Sequence, residues 1–286
     1  MPTPTDRRRA LRTLAAFGMT AGAGLCATPA QAQEESALQR VKRTGRLTVA
    51  IYHDLPPFHV KGKGIGVDLG AALAAKLGVQ LSLLPFAAGE NMEDDLRNMV
   101  WRGHYLGFGP ADVLLHVPVE PAFMAANPRV RVFGPYWRER VVMARDLSKL
   151  PELDSLDPLV GKPVAVPGSS LAAWLLLGAD GGKLRDSLIT KLADGFEAAD
   201  RLKKGEAVAA AGVRSELEAA LAGDKRYAIT PLPMPRHPRD GWALGMAVKK
   251  DAVDLSEALA RALNELAAAG ELEKLFAAGG LRWTPV

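Results

Sequence analysis

The segment from Gly45 to Gly78 constrains the fold most, because it joins a strand pattern to a helix pattern through closely spaced turns. It reads GRLTVAIYHDLPPFHVKGKGIGVDLGAALAAKLG. Apolar residues dominate Leu47–Tyr52, which predicts a strand, and Val67–Leu77 predicts a helix that Gly78 ends. A strand followed by a helix begins an α/β unit, in which the loop after the strand faces a ligand cleft.

Strand and helix patterns alternate along the rest of the chain, which predicts parallel sheets with helices on both faces. The other predicted strands are Leu81–Pro85, Ala111–Val117, Arg140–Arg145, Lys162–Val166, Ala207–Ala211 and Trp242–Val248. The other predicted helices are Met92–Trp101, Leu171–Leu177, one that starts in Phe196–Leu202, Ser215–Ala222, Leu255–Ala269 and Leu272–Ala278. Four prolines between Pro231 and Pro238 predict an extended connection.

Residues 1–32 have the pattern of a cleaved export signal. An arginine-rich start (DRRRALR) precedes the apolar run Thr13–Ala27, and Ala30-Gln31-Ala32 is a small-x-small cleavage site. The paired arginines favour a twin-arginine signal, and an ordinary Sec signal is the alternative. We therefore expect a soluble periplasmic protein.

Charge and cysteine content exclude several classes of function. The formal net charge is +4, and residues 1–32 supply +3 of it from four arginines and one aspartate, which leaves +1. Nucleic-acid binding needs a basic face, so we expect none. The single cysteine, Cys26, lies inside the predicted signal. The remainder has no thiol for catalysis, disulfides or zinc, and the histidine spacing predicts no metal site.

Six short motifs then occur in a familiar order. They are Leu55-Pro56-Pro57-Phe58, Gly66-Val67-Asp68, Leu77-Gly78, Ala111-Asp112-Val113, Gly134-Pro135-Tyr136, and LVGKPVAV at residues 159–166 followed by Gly168-Ser169. In this order the chain resembles the family 3 solute-binding proteins of ABC importers, which have the type 2 periplasmic-binding fold.

The resemblance implies two α/β lobes joined by two crossing hinge strands, with a small molecule held between them. Lobe 1 would comprise residues 45–136 plus 243–286, and lobe 2 residues 140–238. Hinge closure on the ligand is the expected motion of a monomer. Some enzymes share this fold, including a dehydratase and a lytic transglycosylase. The chain shows no catalytic motif, so we expect a binding protein rather than an enzyme.

Two departures from the family pattern bear on the ligand. Amino-acid binders carry an arginine in a T-x-E-R motif, and the corresponding stretch here is Val117-Pro118-Val119-Glu120-Pro121. They also carry an aspartate after a lobe 2 strand, where this chain reads Ala211-Gly212-Val213-Arg214. A free α-amino acid would lose two anchors of about 1.5–3 kcal/mol each. The sequence therefore disfavours an ordinary amino-acid ligand, which stays an alternative with altered contacts.

The segment Leu96–Pro118 suggests another ligand. Its Arg97, Asn98, Asp112 and Val117-Pro118 resemble a branch of the same family associated with PQQ-dependent alcohol dehydrogenases, although Ala111 stands where that branch usually has a cysteine. This resemblance implies a planar polyanion, and PQQ is the specific prediction. No cofactor is required.

Ten residues are predicted to contact the ligand: Asp54, Phe58, Arg97, His116, Trp137, Arg138, Gly168, Ser169, Ser170 and Arg214. Trp137 would stack on a flat ring and Arg138 would fork onto a carboxylate; an aromatic plug beside a solvated arginine is the alternative. Gly168, Ser169 and Ser170 begin a helix. Its free backbone N–H groups and the two hydroxyls would bind an anion; the alternative is that these residues serve only as the N-cap.

The remaining candidates have structural alternatives as well. Arg214 fits an anionic ligand or faces solvent on its helix. Arg97 lines the cleft or a partner surface. His116 is a ligand contact or a hydrogen-bonded structural residue. Asp54 is a ligand contact or caps a turn, and Phe58 is a ligand contact or part of the core.

The sequence thus predicts a periplasmic protein that captures a polyanionic ligand for ABC import or delivery to quinoproteins, with an ABC permease as one partner. The alternative is an accessory factor that docks a PQQ-dependent dehydrogenase or its cytochrome through residues 101–110.

Overall fold

Two five-stranded sheets, each covered by helices on both faces, make up the architecture. The structure is a computed structural model that describes residues 34–234 and 241–286. The predicted export signal and the last part of the proline-rich connection lie outside the described residues. No helix within the described ranges combines the length and the apolar character that a membrane crossing requires.

In chain order the strands are β1 (Arg46–Tyr52), β2 (Gln80–Phe86), β3 (Val113–Pro118), β4 (Val130–Glu139), β5 (Val141–Asp146), β6 (Val164–Ala165), β7 (Leu188–Ile189), β8 (Ala209–Val213), β9 (Tyr227–Pro231) and β10 (Trp242–Lys249). The α-helices are α1 (Ala37–Thr44), α2 (Ile65–Lys76), α3 (Met92–Leu96), α4 (Pro121–Ala126), α5 (Leu171–Gly178), α6 (Gly195–Lys203), α7 (Arg214–Leu221), α8 (Val253–Ala268) and α9 (Glu271–Ala278).

The chain passes from one sheet to the other twice. The first sheet has the order β2-β1-β3-β10-β4 and the second β7-β6-β8-β5-β9. Within them, β1 is parallel to β2 and β3, and β6 is parallel to β7 and β8. The first passage runs from β4 through Arg140 into β5, and the second from β9 towards β10. Each sheet with its helices is one lobe.

Apolar clusters on both faces hold each sheet in its lobe. In the first lobe α2, α8 and α9 cover one face, and α3 with the helical turn after it covers the other. In the second lobe α5 covers one face, and α6 and α7 cover the other. The short side chains of β8, such as Ala209 and Ala210, let helices approach the sheet from both sides.

The strand registers place the ligand-facing edges. Leu244 pairs with both Pro118 and Trp137, so the carboxyl end of β3 lies level with the end of β4, where the chain crosses. In the second lobe Val213, at the carboxyl end of β8, pairs with Val141, the first residue after the crossing. The carboxyl ends of the parallel strands in both lobes therefore lie on the side of the crossing segment.

Several elements differ from the predicted ones for local reasons. The helix predicted over Met92–Trp101 is α3 followed by a π-helical turn, Arg97–Trp101. The sequence analysis missed β4 because Gly134 and Pro135 interrupt its pattern. Gly134 has φ 60°, a left-handed conformation that favours glycine, and it lies where the register of β10 against β4 is irregular.

Candidate functional site: the facing edges of the two lobes

Acidic side chains follow three strands of the first lobe. Asp54, Glu90 and Glu120 come two, four and two residues after β1, β2 and β3, at one edge of the sheet. All three are exposed, and the Asp54 carboxylate lies 2.7 Å from the Nδ1 atom of His53. Lys61 and Lys63 occupy the exposed turn that leads from this edge into α2. The edge thus offers carboxylates within a mixed-charge rim.

The helix start that the sequence predicts as an anion site lies at the corresponding edge of the second lobe. Ser170 is the N-cap of α5: its hydroxyl accepts from the Ala173 N–H at 3.2 Å and donates to the Pro167 carbonyl at 2.7 Å. Ser169 is exposed, and so is Gly168, where a Cβ would lie 2.6 Å from the Thr190 carbonyl oxygen. The Ser170 hydroxyl is committed to the cap, and its N–H donates to the Pro167 carbonyl, so Ser169 and the remaining backbone N–H groups of the first turn are the donors left for a ligand.

Trp137 is part of the core and has no face open to a ligand. Its relative exposure is 0 %, and its indole Nε1 donates to Glu139 at 3.2 Å. Phe276 stacks on the ring at a centroid distance of 5.2 Å, and the Arg214 guanidinium lies 4.3 Å from the ring centroid. This geometry corresponds to the aromatic-plug alternative.

Arg214 is buried and connects the lobes, although a solvent-facing or ligand-facing position was expected. It begins α7 in the second lobe, and its Nε donates to Glu218 at 2.7 Å. Its other nitrogens donate to the carbonyls of Arg138, at 3.5 Å, and Arg282. The guanidinium therefore ties α7 to the crossing strand and to the C-terminal segment that follows α9.

Glu139, the last residue of β4, accepts four hydrogen bonds inside the crossing. The donors are the Trp137 indole, the Arg140 N–H, and the N–H and hydroxyl of Ser215, the hydroxyl at 2.5 Å. Burial raises the pKa of this carboxyl, and the hydrogen bonds oppose that shift. The sequence analysis did not single out Glu139 or Ser215.

His116 and Phe58 pack together beside the crossing. Their rings lie 4.4 Å apart, and Phe58 is buried. His116 has φ 68° and occupies a bulge in β3, because Val117 and Leu115 pair with the consecutive residues Gly245 and Met246 of β10. Its N–H donates to the Tyr136 hydroxyl, and burial lowers the pKa of its imidazole to about 4. Phe58 thus lies in the core, and the imidazole is neutral near pH 7.

Glu216 is a titratable group at the second-lobe edge that the sequence analysis missed. Its carboxylate accepts from the Gly195 N–H at 2.8 Å, at the start of α6. Burial raises its pKa to about 7, and the charges of Asp194 and Glu139 add to the shift. Gly195 is required beside it, because a Cβ there would lie 2.5 Å from the carboxylate oxygen. The one sequence signal for this position is a glutamate in the first turn of a predicted helix, directly after Ser215.

The predicted contacts do not all come together. Asp54, the Gly168–Ser170 segment and half-buried Arg138 lie at the facing edges and the crossing. Arg97 lies elsewhere in the first lobe, 2.5 Å from the Asp94 carboxylate. Residues 102–110 form a loop after the π-helical turn, and Tyr105 and Leu106 project from it with relative exposures of 87 % and 68 %. No group of three or more potential metal ligands occurs in the described ranges.

Comparisons with known proteins identify the fold. No family model and no curated protein matches the chain. An ancestral cationic amino acid solute-binding protein superimposes with a TM-score of 0.66 at 18% identity, over 86% of this chain and 100% of that one. An amino acid ABC transporter substrate-binding protein from Streptococcus pneumoniae, bound to L-arginine, gives 0.57 at 20% identity, over 88% and 100%. The second substrate-binding domain of Lactococcus lactis GlnP, in an open conformation, gives 0.59 at 21% identity, over 82% and 94%.

These likenesses confirm the predicted fold. The chain has the two-lobed type 2 periplasmic-binding fold, with two mixed α/β sheets joined by two crossing segments. The first two of these proteins are named as amino-acid-binding proteins and the third as a substrate-binding domain, and none of the three names mentions a quinone or a quinoprotein. The boundaries proposed for the two lobes stay a prediction.

Proposed function

We propose that this protein is a solute-binding protein that holds a small amino-acid-type ligand between its two lobes. The supporting observation is the pair of facing strand edges, with carboxylates on the first lobe and a helix start on the second. An ammonium group and a carboxylate on one small molecule complement these two surfaces. The amino-acid relatives of the fold support the same ligand class.

The ammonium contact would come from Asp54 and Glu120. Both are exposed at adjacent strand ends, and Glu120 is the residue before α4, in the stretch where the family has its arginine. A charge-assisted hydrogen bond contributes about 1.5–3 kcal/mol, which is enough to replace one missing anchor. The sequence argument against amino acids considered only the loss of the family's arginine and aspartate, and it did not consider Asp54 or Glu120 as replacement anchors.

The ligand carboxylate would bind at the start of α5. Exposed Ser169 and the backbone N–H groups of the first turn that the Ser170 cap does not use would donate to it, because the helix dipole favours an anion at this end. Two of the three arginines expected to hold an anion are engaged elsewhere, Arg214 with Glu218 and Arg97 with Asp94, and the third, Arg138, lies half-buried at the crossing. A tricarboxylate such as PQQ would therefore find few partners among them.

The test is calorimetric titration of the purified protein with L-arginine, L-lysine, L-glutamine, L-glutamate and, separately, PQQ. We expect saturable micromolar binding of at least one amino acid. Asp54→Asn and Glu120→Gln should each weaken it about tenfold, which is about 1.4 kcal/mol. Glu257→Gln, an exposed carboxylate on α8, is the matched control and should change nothing. Saturable PQQ binding with no amino-acid binding would overturn the proposal.

Delivery of the ligand to an ABC permease is the proposed role, by analogy with the transporter proteins among the relatives. We propose no catalytic step. One observation favours a second function, the docking of a partner protein: Tyr105 and Leu106 are exposed on a loop braced by a 4.3 Å stack of His104 on Phe108. A quinoprotein dehydrogenase or its cytochrome is the partner to test, and only the sequence resemblance suggests it. Tyr105→Ser with Leu106→Ser should abolish co-purification with such a partner and leave ligand binding unchanged.

A further inference from the structure

A recess with two arginines and a tryptophan lies on the first lobe, away from the facing edges. It encloses about 270 Å³ between α3, the π-helical turn and the connection from α4 to β4. Its polar and aromatic lining consists of Glu93, Arg97, Trp101, Asn127 and Arg129. This volume is just below the usual range of about 300–1,000 Å³ for ligand pockets, so it suits a small molecule.

The recess is distinct from the proposed ligand cleft. Val130, which lines it, is the first residue of β4 and pairs with Lys249, whereas Glu139 at the other end of β4 enters the crossing. Ten extended residues span about 30 Å at roughly 3.3 Å each. Asp54, Glu90 and Glu120, which the first lobe presents at the facing edge, are not among the residues that line the recess.

The π-helical turn positions the recess. The Arg102 N–H donates to the Arg97 carbonyl at 2.9 Å, a bond across five residues that widens the helix. Such turns are rare and occur frequently at functional sites. Arg97 and Trp101 at the two ends of the turn both line the recess, and Arg97 is held by Asp94 at 2.5 Å.

Arg129 is the group best placed to receive a ligand. Its guanidinium carbon lies 4.6 Å from the centroid of the Trp101 ring, so the indole supports the group from one side. No ion pair involves Arg129 within residues 34–234 and 241–286. A guanidinium fixed by an aromatic surface keeps its planar fork of N–H donors available for the two oxygens of a carboxylate.

We propose that this recess binds a small monocarboxylate with a flat apolar body, its carboxylate on Arg129 and its body against Trp101 and Pro128. Glu93 on the same wall disfavours a second negative charge on the ligand. Arg97, neutralised by Asp94, adds hydrogen-bond donors rather than net charge. The chemical class is therefore an aromatic monocarboxylic acid rather than a phosphate or a dicarboxylate.

The experiment uses 4-fluorophenylacetate as the probe, followed by fluorine NMR on the full chain. Saturable binding is expected, with the neutral amide of the probe binding at least tenfold more weakly. Arg129→Gln should weaken the probe at least tenfold, whereas Arg131→Gln, an exposed arginine two residues along the chain, should leave it unchanged. Both arginines are exposed, so neither variant should lower the melting temperature.

Three results would contradict the proposal: no saturation of the probe, equal binding to Arg129→Gln, or tighter binding of phenyl phosphate than of the carboxylate. Glu120→Gln separates the two sites, because it should weaken an amino acid in the cleft and leave the probe in the recess unchanged. Failure at one site therefore says nothing against the other.

Discussion

The crossing segment and the facing strand edges carry similar residue types in opposite environments. At the crossing, Trp137, Glu139 and Arg214 are buried and bonded to one another or to their neighbours. At the edges, Asp54 and Glu120 are exposed. Both regions lie where the sequence predicted ligand contacts, and only the edges present polar groups outward.

The difference shows that charge and aromatic character near a cleft do not by themselves indicate a ligand site. A buried cation needs partners, and Arg214 has a carboxylate, two carbonyls and an indole face. Substituting a buried residue of the crossing should lower the free energy of unfolding, whereas substituting an exposed edge residue should lower the affinity for the ligand. Three substitutions, in order of expected size, test this separation.

The largest effect is expected for Trp137→Ala. Removing a fully buried aromatic side chain costs about 3–5 kcal/mol, because it loses its transfer free energy and leaves a cavity. The free energy of unfolding from urea denaturation measures the change. Trp174→Ala is the matched control, because this tryptophan is 72 % exposed and should change stability by less than about 0.5 kcal/mol. A similar loss of unfolding free energy in Trp137→Ala and Trp174→Ala would contradict the contrast between buried and exposed aromatic residues.

The sequence could predict the fold of this chain better than its side-chain environments. The strand and helix patterns from Leu47 to Leu77 correspond to β1 and α2, because β1 is an almost continuously buried apolar run and α2 buries residues at helical spacing. Helix α1 carried a capping box, Ser36 with Gln39, that the sequence analysis did not use. In contrast, no local pattern places Arg214 against Trp137, since 77 residues separate them and only the crossing of two lobes brings them together.

The second prediction compares two arginines with similar contacts. Arg214 and Arg226 each have a carboxylate partner, Glu218 or Asp224, and each lies over an aromatic ring. The Arg226 side chain is 69 % exposed, whereas that of Arg214 is 6 % exposed. Arg214→Met should cost about 2–4 kcal/mol, because it leaves Glu218 without its buried partner. Arg226→Met should cost at most about 1 kcal/mol.

Hydrogen exchange gives an independent measure of the Arg214 contact. The Arg282 N–H donates to Glu218 at 2.9 Å, and its carbonyl accepts from Arg214, so α7 and the C-terminal segment share one network. Arg214→Met should speed amide exchange in residues 281–286 more than in α6. Uniform acceleration across the second lobe would show instead that Arg214 stabilises only its own lobe.

The smallest effect is a pH dependence at Glu216. Its pKa is raised from 4.5 to about 7 in the folded protein, through burial first and then the charges of Asp194 and Glu139. Between these two values the native state binds more protons than the unfolded state, so its stability falls as pH rises. The carboxylate is partly exposed, which limits the effect to about 1–2 kcal/mol.

Glu216→Gln should therefore gain stability relative to the parent as pH rises from 5 to 8, measured by urea unfolding at each pH. The difference between the two proteins isolates Glu216, because His116, whose lowered pKa gives the opposite slope between about 4 and 6.5, contributes equally to both. Glutamine at position 216 keeps one side-chain oxygen, which can still accept the hydrogen bond from the Gly195 N–H. A difference that does not vary with pH would mean that this carboxylate titrates normally, as an edge residue in contact with solvent does.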